Sequence, residues 1–156
     1  MIFSSRMSYK EALVSLPWNI LKGGGLMRVL LTSILCKSGL MTHVLDLAYH
    51  LKTIGVQVSL ALKSANPKER LGYQDWLSRL DNVPVFYYTT TADLALICER
   101  LEPQLIHSHS PHCFNSSVTV SINYCLPLVI TLHSTLWVEE LYPLTLLMAK
   151  KIIAVG

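Results

Sequence analysis

The chain has 156 residues, which suits a single domain that is large enough to bury a hydrophobic core. Hydrophobic residues make up 51% of the sequence and charged residues only 15%, so we expect a further domain or a partner chain to cover part of its apolar surface. The formal net charge of +3, without a long run of Lys or Arg, gives no support to nucleic-acid binding, and we expect none.

Residues 1–26 differ from the rest and are interpreted as an N-terminal extension. Apolar positions over 9–22 have the spacing of a short amphipathic helix, which Pro17 interrupts. Trp18, flanked by lysines, favours an interfacial helix in peripheral contact with a membrane. The other interpretation is a segment that packs on the domain or is disordered. No signal peptide is predicted, because charged residues interrupt this segment before an apolar core forms.

From Met27 onward, short apolar runs alternate with amphipathic stretches. The apolar runs predict six strands, over 28–34, 56–62, 83–88, 105–109, 127–133 and 151–155. The amphipathic stretches predict helices over 39–53, 67–80, 92–101, 112–124 and 137–148. This alternation predicts βαβ crossovers, and therefore an α/β domain over residues 27–156 with a Rossmann-like, doubly wound parallel sheet.

The turn after the first predicted strand does not fit a dinucleotide site or a P-loop. It holds one glycine, Gly39, where a dinucleotide fingerprint needs three. The second strand is followed by Lys63 and Ser64, whereas an acidic residue there would bind a ribose hydroxyl. We therefore expect no NAD, and the sequence indicates no other cofactor.

The same turn fits a simpler anion site. Ser38, Gly39 and the first turn of the following helix would present backbone amides to an anion, and Lys37 adds a positive charge. The alternative is an ordinary strand-to-helix turn that needs one flexible residue.

Two histidines follow neighbouring strands at the edge where parallel sheets bind their ligands. His109 ends the fourth predicted strand, and His133 ends the fifth and precedes Ser134. We expect them side by side on one rim, facing a cleft. His133 is the stronger candidate, because a rim histidine can hydrogen-bond a hydroxyl-rich ligand near neutral pH. The alternative is a histidine that ends its strand without a functional role.

A metal site is not predicted, although several histidines lie close in the sequence. His107 and His109 share one face of a strand, and His112 and Cys113 follow, but no further acidic or cysteine cluster completes a coordination shell. We expect His107 to lie under a helix and to bond through one nitrogen. The histidines of the first helix are predicted to be surface or packing positions. These are His43 and His50.

The four cysteines are scattered and include no C-x-x-C pair. We interpret them as reduced and mostly buried, which predicts a cytoplasmic protein. They are Cys36, Cys98, Cys113 and Cys125.

Four stretches form a pattern through their order and spacing. Residues 39–51 read GLMTHVLDLAYHL, residues 103–109 read PQLIHSH, residues 126–133 read LPLVITLH and residues 149–156 read AKKIIAVG. Together they resemble the amino-terminal domain of family-4 glycosyltransferases, which have the GT-B fold. The resemblance covers residues 27–156. Two departures are a glutamine in place of the family's acid after Pro103, and a single glycine in the first loop.

The resemblance implies an enzyme that moves a sugar from a nucleotide-sugar donor to a glycan or lipid-linked acceptor. In this family the amino-terminal domain mainly holds the acceptor and the carboxy-terminal domain most of the donor, typically without a bound metal. By resemblance, Ser38 and Gly39 approach the donor phosphates. His133 is the catalytic histidine and contacts the transferred sugar, while His109 and Ser134 line the substrate side.

The sequence lacks the second domain of such enzymes and its paired-glutamate donor motif. We therefore expect this polypeptide alone to transfer no sugar and to need that missing domain or a partner chain. The alternatives are a non-catalytic module that binds sugars or lipid head groups, and a fragment of another GT-B-like sugar-nucleotide enzyme such as an epimerase. The expected location is the cytoplasm, with peripheral contact at the inner membrane face as an open question.

Overall fold

In a computed structural model of the protein, the described residues are 26–64, 66, 72–80, 82–134 and 148–154. The predicted N-terminal helix lies outside them, as does nearly all of the helix predicted over 137–148.

Six parallel strands form one sheet in the order β3-β2-β1-β4-β5-β6. They are β1 (Arg28–Ile34), β2 (Gln57–Lys63), β3 (Val85–Tyr88), β4 (Leu105–Ser108), β5 (Leu128–Leu132) and β6 (Ala149–Ala154). The predicted fold class is confirmed. The strand order reverses at β1, so the carboxyl ends of β1 and β4 form the switch point where doubly wound sheets bind ligands.

Helices connect the strands. They are α1 (Gly39–Thr53), α2 (Gln74–Leu77), α3 (Thr91–Leu101) and α4 (Pro111–Asn123), with a 3₁₀ turn over Ser78–Leu80 after α2. The bounds of α1 are those predicted. The helix predicted over 67–80 is, over its described residues, only a short helical turn, in which Trp76 and Leu77 pack against the core without being fully buried. No helix in the described part of the chain is both long and apolar enough to cross a membrane.

Helices cover both faces of the sheet. α1 buries an apolar stripe that includes Val44, Leu47 and Leu51 against one face. α3 and α4 pack on the other face, where Leu94 and Val118 meet the sheet. Each fully buried side chain of this size contributes about 1.5–3 kcal/mol. Because helices cover both faces of the sheet, the central strands are continuous apolar runs until they reach their carboxyl ends.

Two local signals fix where the helices start. α3 begins with a capping box in which the Asp93 N–H donates to Thr90 Oγ1 (3.2 Å) and the Thr90 N–H donates to Asp93 Oδ2 (2.8 Å). The bond from the Thr90 N–H, with two more from the N–H and hydroxyl of Thr89 to the same carboxylate, holds the pKa of Asp93 below its usual value. α4 begins at Pro111, whose fixed φ suits a first helical position.

Candidate functional site

Four histidines meet at the carboxyl edge of the sheet, on the face that α1 covers. We call them the histidine cluster: His43, His107, His109 and His133. Alternate side chains of a strand share a face, so β4 and its extension bring His107 and His109 to the α1 side. His133 follows β5, and His43 reaches the group from the first turns of α1.

The ring contacts within the cluster are close. His109 Nδ1 lies 3.3 Å from His133 Nε2. The His43 ring centre lies 4.8 Å from that of His133 and 5.8 Å from that of His109. The His107 and His109 ring centres are 4.1 Å apart. The two rim histidines named from the sequence are therefore neighbours in the fold.

His107 is buried, and its Nε2 lies 2.7 Å from the Thr131 hydroxyl on the neighbouring strand. This agrees with the prediction of a packed ring that is bonded within the protein. The register explains the contact, because β4 and β5 run in parallel and pair His107 with Val129, two residues before Thr131. His107 therefore supports the cluster from beneath.

His109 is fully buried, although we expected it to reach the cleft. Its Nε2 has no hydrogen-bond partner within the described part of the chain. An unsatisfied lone pair is less unfavourable than an unsatisfied N–H, so we assign the proton to Nδ1, which then donates to His133 Nε2. His109 thus orients the His133 ring from inside the protein.

His133 and Ser134 are half-buried, so they form the accessible side of the cluster. The predicted position of His133 at the rim, after the fifth strand, matches its place in the structure. Its ring faces His43 edge-on and His109 at a tilt.

The rings of the cluster are uncharged near neutral pH. Burial, followed by repulsion from the neighbouring histidines, lowers the pKa of His107 to about 3 and that of His133 to about 4. The same causes place the pKa of His109 well below its usual value. Burial also lowers the pKa of His43, against an opposing effect of Asp46. Neutral imidazoles donate and accept hydrogen bonds and ligate metals, whereas rings with such low pKa values are weak bases.

The loop before α1 lies at the same edge of the sheet, and Ser38 and Gly39 are exposed there. Ser38 precedes α1 in an extended conformation and makes no side-chain cap bond; its hydroxyl lies 3.0 Å from Cys36 Sγ. A Cβ on Gly39 would meet no atom within 4 Å, and its φ is not in the left-handed region. The fold itself therefore does not require glycine at this position. The Lys37 ammonium lies 5.6 Å from the centre of the Tyr73 ring.

Sequence reasoning missed His43 as a member of the cluster. A usable signal was its spacing, since His43 lies four residues after Gly39 and so on the same side of α1 as the loop glycine. Ring nitrogens of His43, His109 and His133 all lie within 4.8 Å of one another, so within the described ranges these three are candidates to hold a metal ion.

The set considered from the sequence does not assemble. His112 is exposed, and Cys113 packs in the core on the α3 and α4 side of the sheet, away from the histidine cluster. All four cysteines are free thiols: Cys98 and Cys113 are buried, Cys36 is half-buried and Cys125 is exposed. Burial raises the pKa of Cys113 to about 11, which leaves its thiol protonated.

A family comparison decides the identity of the domain. The model of Glycosyltransferase Family 4 matches residues 37–156, which is more than half of the chain. The chain belongs to glycosyltransferase family 4. A comparison with curated protein sequences finds no match.

Solved structures of similar fold agree with the family-4 assignment at the level of architecture. MurG of Acinetobacter baumannii matches with a TM-score of 0.62 and 13% identity, over 83% of this chain and 41% of that one. Anabaena HepE, solved with UDP and glucose, matches with a TM-score of 0.63 and 16% identity, over 81% of this chain and 37% of that one.

A glycosyltransferase from Rickettsia africae matches with a TM-score of 0.60 and 14% identity, over 85% of this chain and 37% of that one. The family-4 domain therefore spans about two fifths of the length of these GT-B proteins.

Proposed function

We propose that this domain forms the acceptor side of a glycosyltransferase active site, where a sugar passes from a nucleotide-sugar donor to a glycan or lipid-linked acceptor. The observation that carries the proposal is the histidine cluster at the carboxyl edge of the sheet in a family-4 domain. The half-buried ring of His133 is its accessible member, which suits contact with a sugar hydroxyl.

His133 acts in this proposal as a neutral hydrogen-bonding group. Its lowered pKa, about 4, argues against proton transfer by an imidazolium at neutral pH. The contact with His109 Nδ1 fixes the ring orientation, so the ring does not reorient when the sugar arrives. His133 is the catalytic residue of the proposal, His109 positions it, and Ser134 lines the same rim.

Ser38 and Gly39 contact the donor phosphates in this proposal. Ser38 is the residue before α1 and Gly39 is its first residue, and the first amides of this 15-residue helix carry partial positive charge. Gly39 leaves open space where a side chain would stand, so a phosphate can approach the backbone. Stabilisation of the departing nucleoside diphosphate is then the main catalytic contribution. HepE, a structural neighbour, was solved with UDP and glucose, which supports a nucleotide-sugar donor.

We further propose that this polypeptide alone does not complete the reaction. It spans about two fifths of the neighbouring structures, and the donor-binding half comes from a further domain or a partner chain. We also propose a role in the synthesis of cell-envelope glycans.

The test uses protein isolated from its native source with an antibody against the domain. We expect an intact mass, or an associated second chain, that accounts for a donor domain, together with transfer from a nucleotide-sugar donor. His133→Ala should lower kcat by about 10²–10³-fold, as for loss of one preorganised contact in the transition state. His50→Ala, on the exposed side of α1, is the matched control and should leave kcat unchanged.

The opposite result is a native chain of this size without an associated chain and without transfer from any nucleotide sugar. That result would favour the stand-alone module that binds sugars or lipid head groups. Hydrolysis or epimerisation of a nucleotide sugar without an acceptor would instead indicate another sugar-nucleotide enzyme of the same fold.

The proposed location is the cytoplasm, with peripheral contact at the inner membrane face through residues 1–26. Sedimentation with vesicles of anionic phospholipid, with and without these residues, tests the contact. Loss of binding on their removal supports it, and equally weak binding of both forms removes it.

A further inference from the structure

We propose that His43, His109 and His133 together bind one divalent cation of the kind that prefers imidazole ligands, such as Zn²⁺ or Co²⁺. One ring nitrogen of each residue lies within 4.8 Å of the other two. The three ligands come from α1, from the end of β4 and from the end of β5. Rigid elements therefore hold them, and a cation would tie the helix to the sheet at the switch point.

The spacing of the rings fits a tetrahedral site. Two nitrogens at 2.0–2.1 Å from Zn²⁺ in tetrahedral geometry lie about 3.3–3.4 Å apart. The observed distance between His109 Nδ1 and His133 Nε2 is 3.3 Å in the hydrogen-bonded protein, and a cation bound there would displace the proton from His109 Nδ1 to the other nitrogen of that ring. Ring centres around such an ion lie roughly 5 Å apart, and the three observed separations are 4.8, 5.6 and 5.8 Å. The ring nitrogens lie up to 4.8 Å apart, so His43, which is half-buried, must move toward the other two rings for all three to bind one ion.

The fourth histidine of the cluster supports the site without being a ligand. His107 Nε2 bonds to Thr131, and its ring packs on His109 with centres 4.1 Å apart. This packing holds the His109 ring in place, as groups behind the ligands do in metal sites generally.

Three protein ligands leave one coordination position for water or a ligand hydroxyl. That is the pattern of zinc sites open to substrate, whereas structural zinc sites use four protein ligands. His133 and His43 are half-buried, which gives a cation a path from solvent. Cys36, also half-buried, is the nearest thiol in the sequence to His43 and is not part of the three-residue group.

A bound cation would replace the hydrogen bond between His109 Nδ1 and His133 Nε2, and would therefore compete with the ring orientation that His109 gives His133 for the sugar contact. This competition rests on the proposed function, whereas cation binding itself does not. The experiment below contains no nucleotide sugar, so its failure and the failure of the proposed function are distinguishable.

The test titrates the untagged, chelator-treated full chain with Co²⁺ alone near neutral pH, because the visible spectrum of Co²⁺ reports its coordination geometry. We expect one equivalent to bind with a tetrahedral spectrum and Zn²⁺ to displace it. His43→Gln and His133→Gln should each weaken Co²⁺ binding at least about tenfold. His50→Gln and His112→Gln, both at exposed positions, are matched controls and should bind as the unaltered chain does.

A second measurement works on the unaltered chain and does not depend on the folding of any variant. Zn²⁺ added to protein with ¹⁵N-labelled histidine should shift the ring resonances of three of the six histidines and leave those of His50 and His112 in place. The proposal is overturned by absence of Co²⁺ absorption at excess metal, by unchanged affinity in folded His43→Gln, or by a thiolate-to-metal absorption that identifies a cysteine ligand.

Discussion

Each face of the sheet carries a buried polar cluster near the carboxyl ends of the strands, and the hydrogen-bonding capacity of the two clusters is used differently. On the α4 side, the hydroxyls of Thr32, Ser108 and Ser117 lie 2.9–3.2 Å from one another. We call them the hydroxyl triad. On the α1 side, His109 Nε2 and Ser33 Oγ have no hydrogen-bond partner within the described part of the chain.

The difference separates a structural polar group from a candidate site. The members of the hydroxyl triad are buried and use one another as partners, so the triad offers little bonding capacity to a ligand. The histidine cluster keeps spare capacity, and one member, His133, lies half-buried at the rim. Adjacent residues of one strand, His107 and Ser108, thus belong to two different kinds of polar cluster.

The largest expected effect is on the pH dependence of stability between about pH 7 and pH 5, which should arise on the histidine face of the sheet. The folded-state pKa of His107 is about 3 and that of His109 is also far below the ordinary 6.5. The unfolded chain therefore binds more protons as the pH falls below about 6.5, and the free energy of unfolding decreases down to the folded pKa values. Each histidine contributes about 1.4 kcal/mol per pH unit in that window. Urea unfolding between about pH 7 and pH 5, with a chelator present, measures this slope.

Any core substitution lowers stability at every pH, so a variant is judged by the change of its free energy of unfolding with pH and not by the free energy at one pH. His107→Gln should flatten the dependence by about one proton, whereas His50→Ala, at an exposed position, should not change it. His43 and His133 contact the same rings from α1 and from the end of β5. Burial lowers their pKa values as well, so both add to the same loss of stability on acidification. A slope that is unchanged in His107→Gln would assign the acid sensitivity to other groups.

A smaller effect is expected on the hydroxyl triad. Thr32→Val keeps the side-chain shape but leaves Ser108 and Ser117 with one partner fewer, which should lower the free energy of unfolding by about 1–2 kcal/mol. Because Ser108 and Ser117 remain 3.2 Å apart, neither becomes fully unsatisfied. Thr119→Val on the exposed side of α4 is the matched control and should change stability by less than about 0.5 kcal/mol.

A double-mutant cycle sharpens the same prediction. Thr32→Val and Ser117→Ala should be non-additive by about 0.5 kcal/mol or more, because their hydroxyls are 3.0 Å apart. Additive effects would mean that these hydroxyls do not form one network.

Strong periodicity made much of the fold predictable. The bounds of β1 and α1 agree with those expected, because a continuous apolar run and a regular helical stripe leave little choice. The short α2 turn was not predictable, since a polar helical pattern does not reveal whether a core exists to hold it. The position of His133 at the rim was predictable because it follows a strand, and the carboxyl ends of parallel strands form the ligand-binding edge of such sheets.

Other features of the candidate site depend on packing between distant segments. Along the sequence, His43 lies beside buried Val44 at the border of the apolar stripe, so the spacing from Gly39 gives its side of α1 but not the rings that it contacts. His109 is fully buried because neighbouring elements cover it, which no local pattern reports. The contacts within the hydroxyl triad cannot be predicted from local spacing either, since Thr32 and Ser117 lie 85 residues apart in the sequence.

The smallest effect on stability is expected at Gly39, and it separates what the fold needs from what a ligand needs. A Cβ at either Gly39 or Gly55 would meet no atom within 4 Å, but Gly55 has a φ of +85° and Gly39 does not have a left-handed φ. Gly39→Ala should therefore leave the free energy of unfolding unchanged or raise it by up to about 1 kcal/mol. Gly55→Ala, the matched control, should lower it by about 1 kcal/mol because alanine is strained in that conformation. If Gly39→Ala also leaves donor use by the native enzyme unchanged, the loop is an ordinary turn, whereas loss of donor binding in a protein of undiminished stability assigns the glycine to the phosphates.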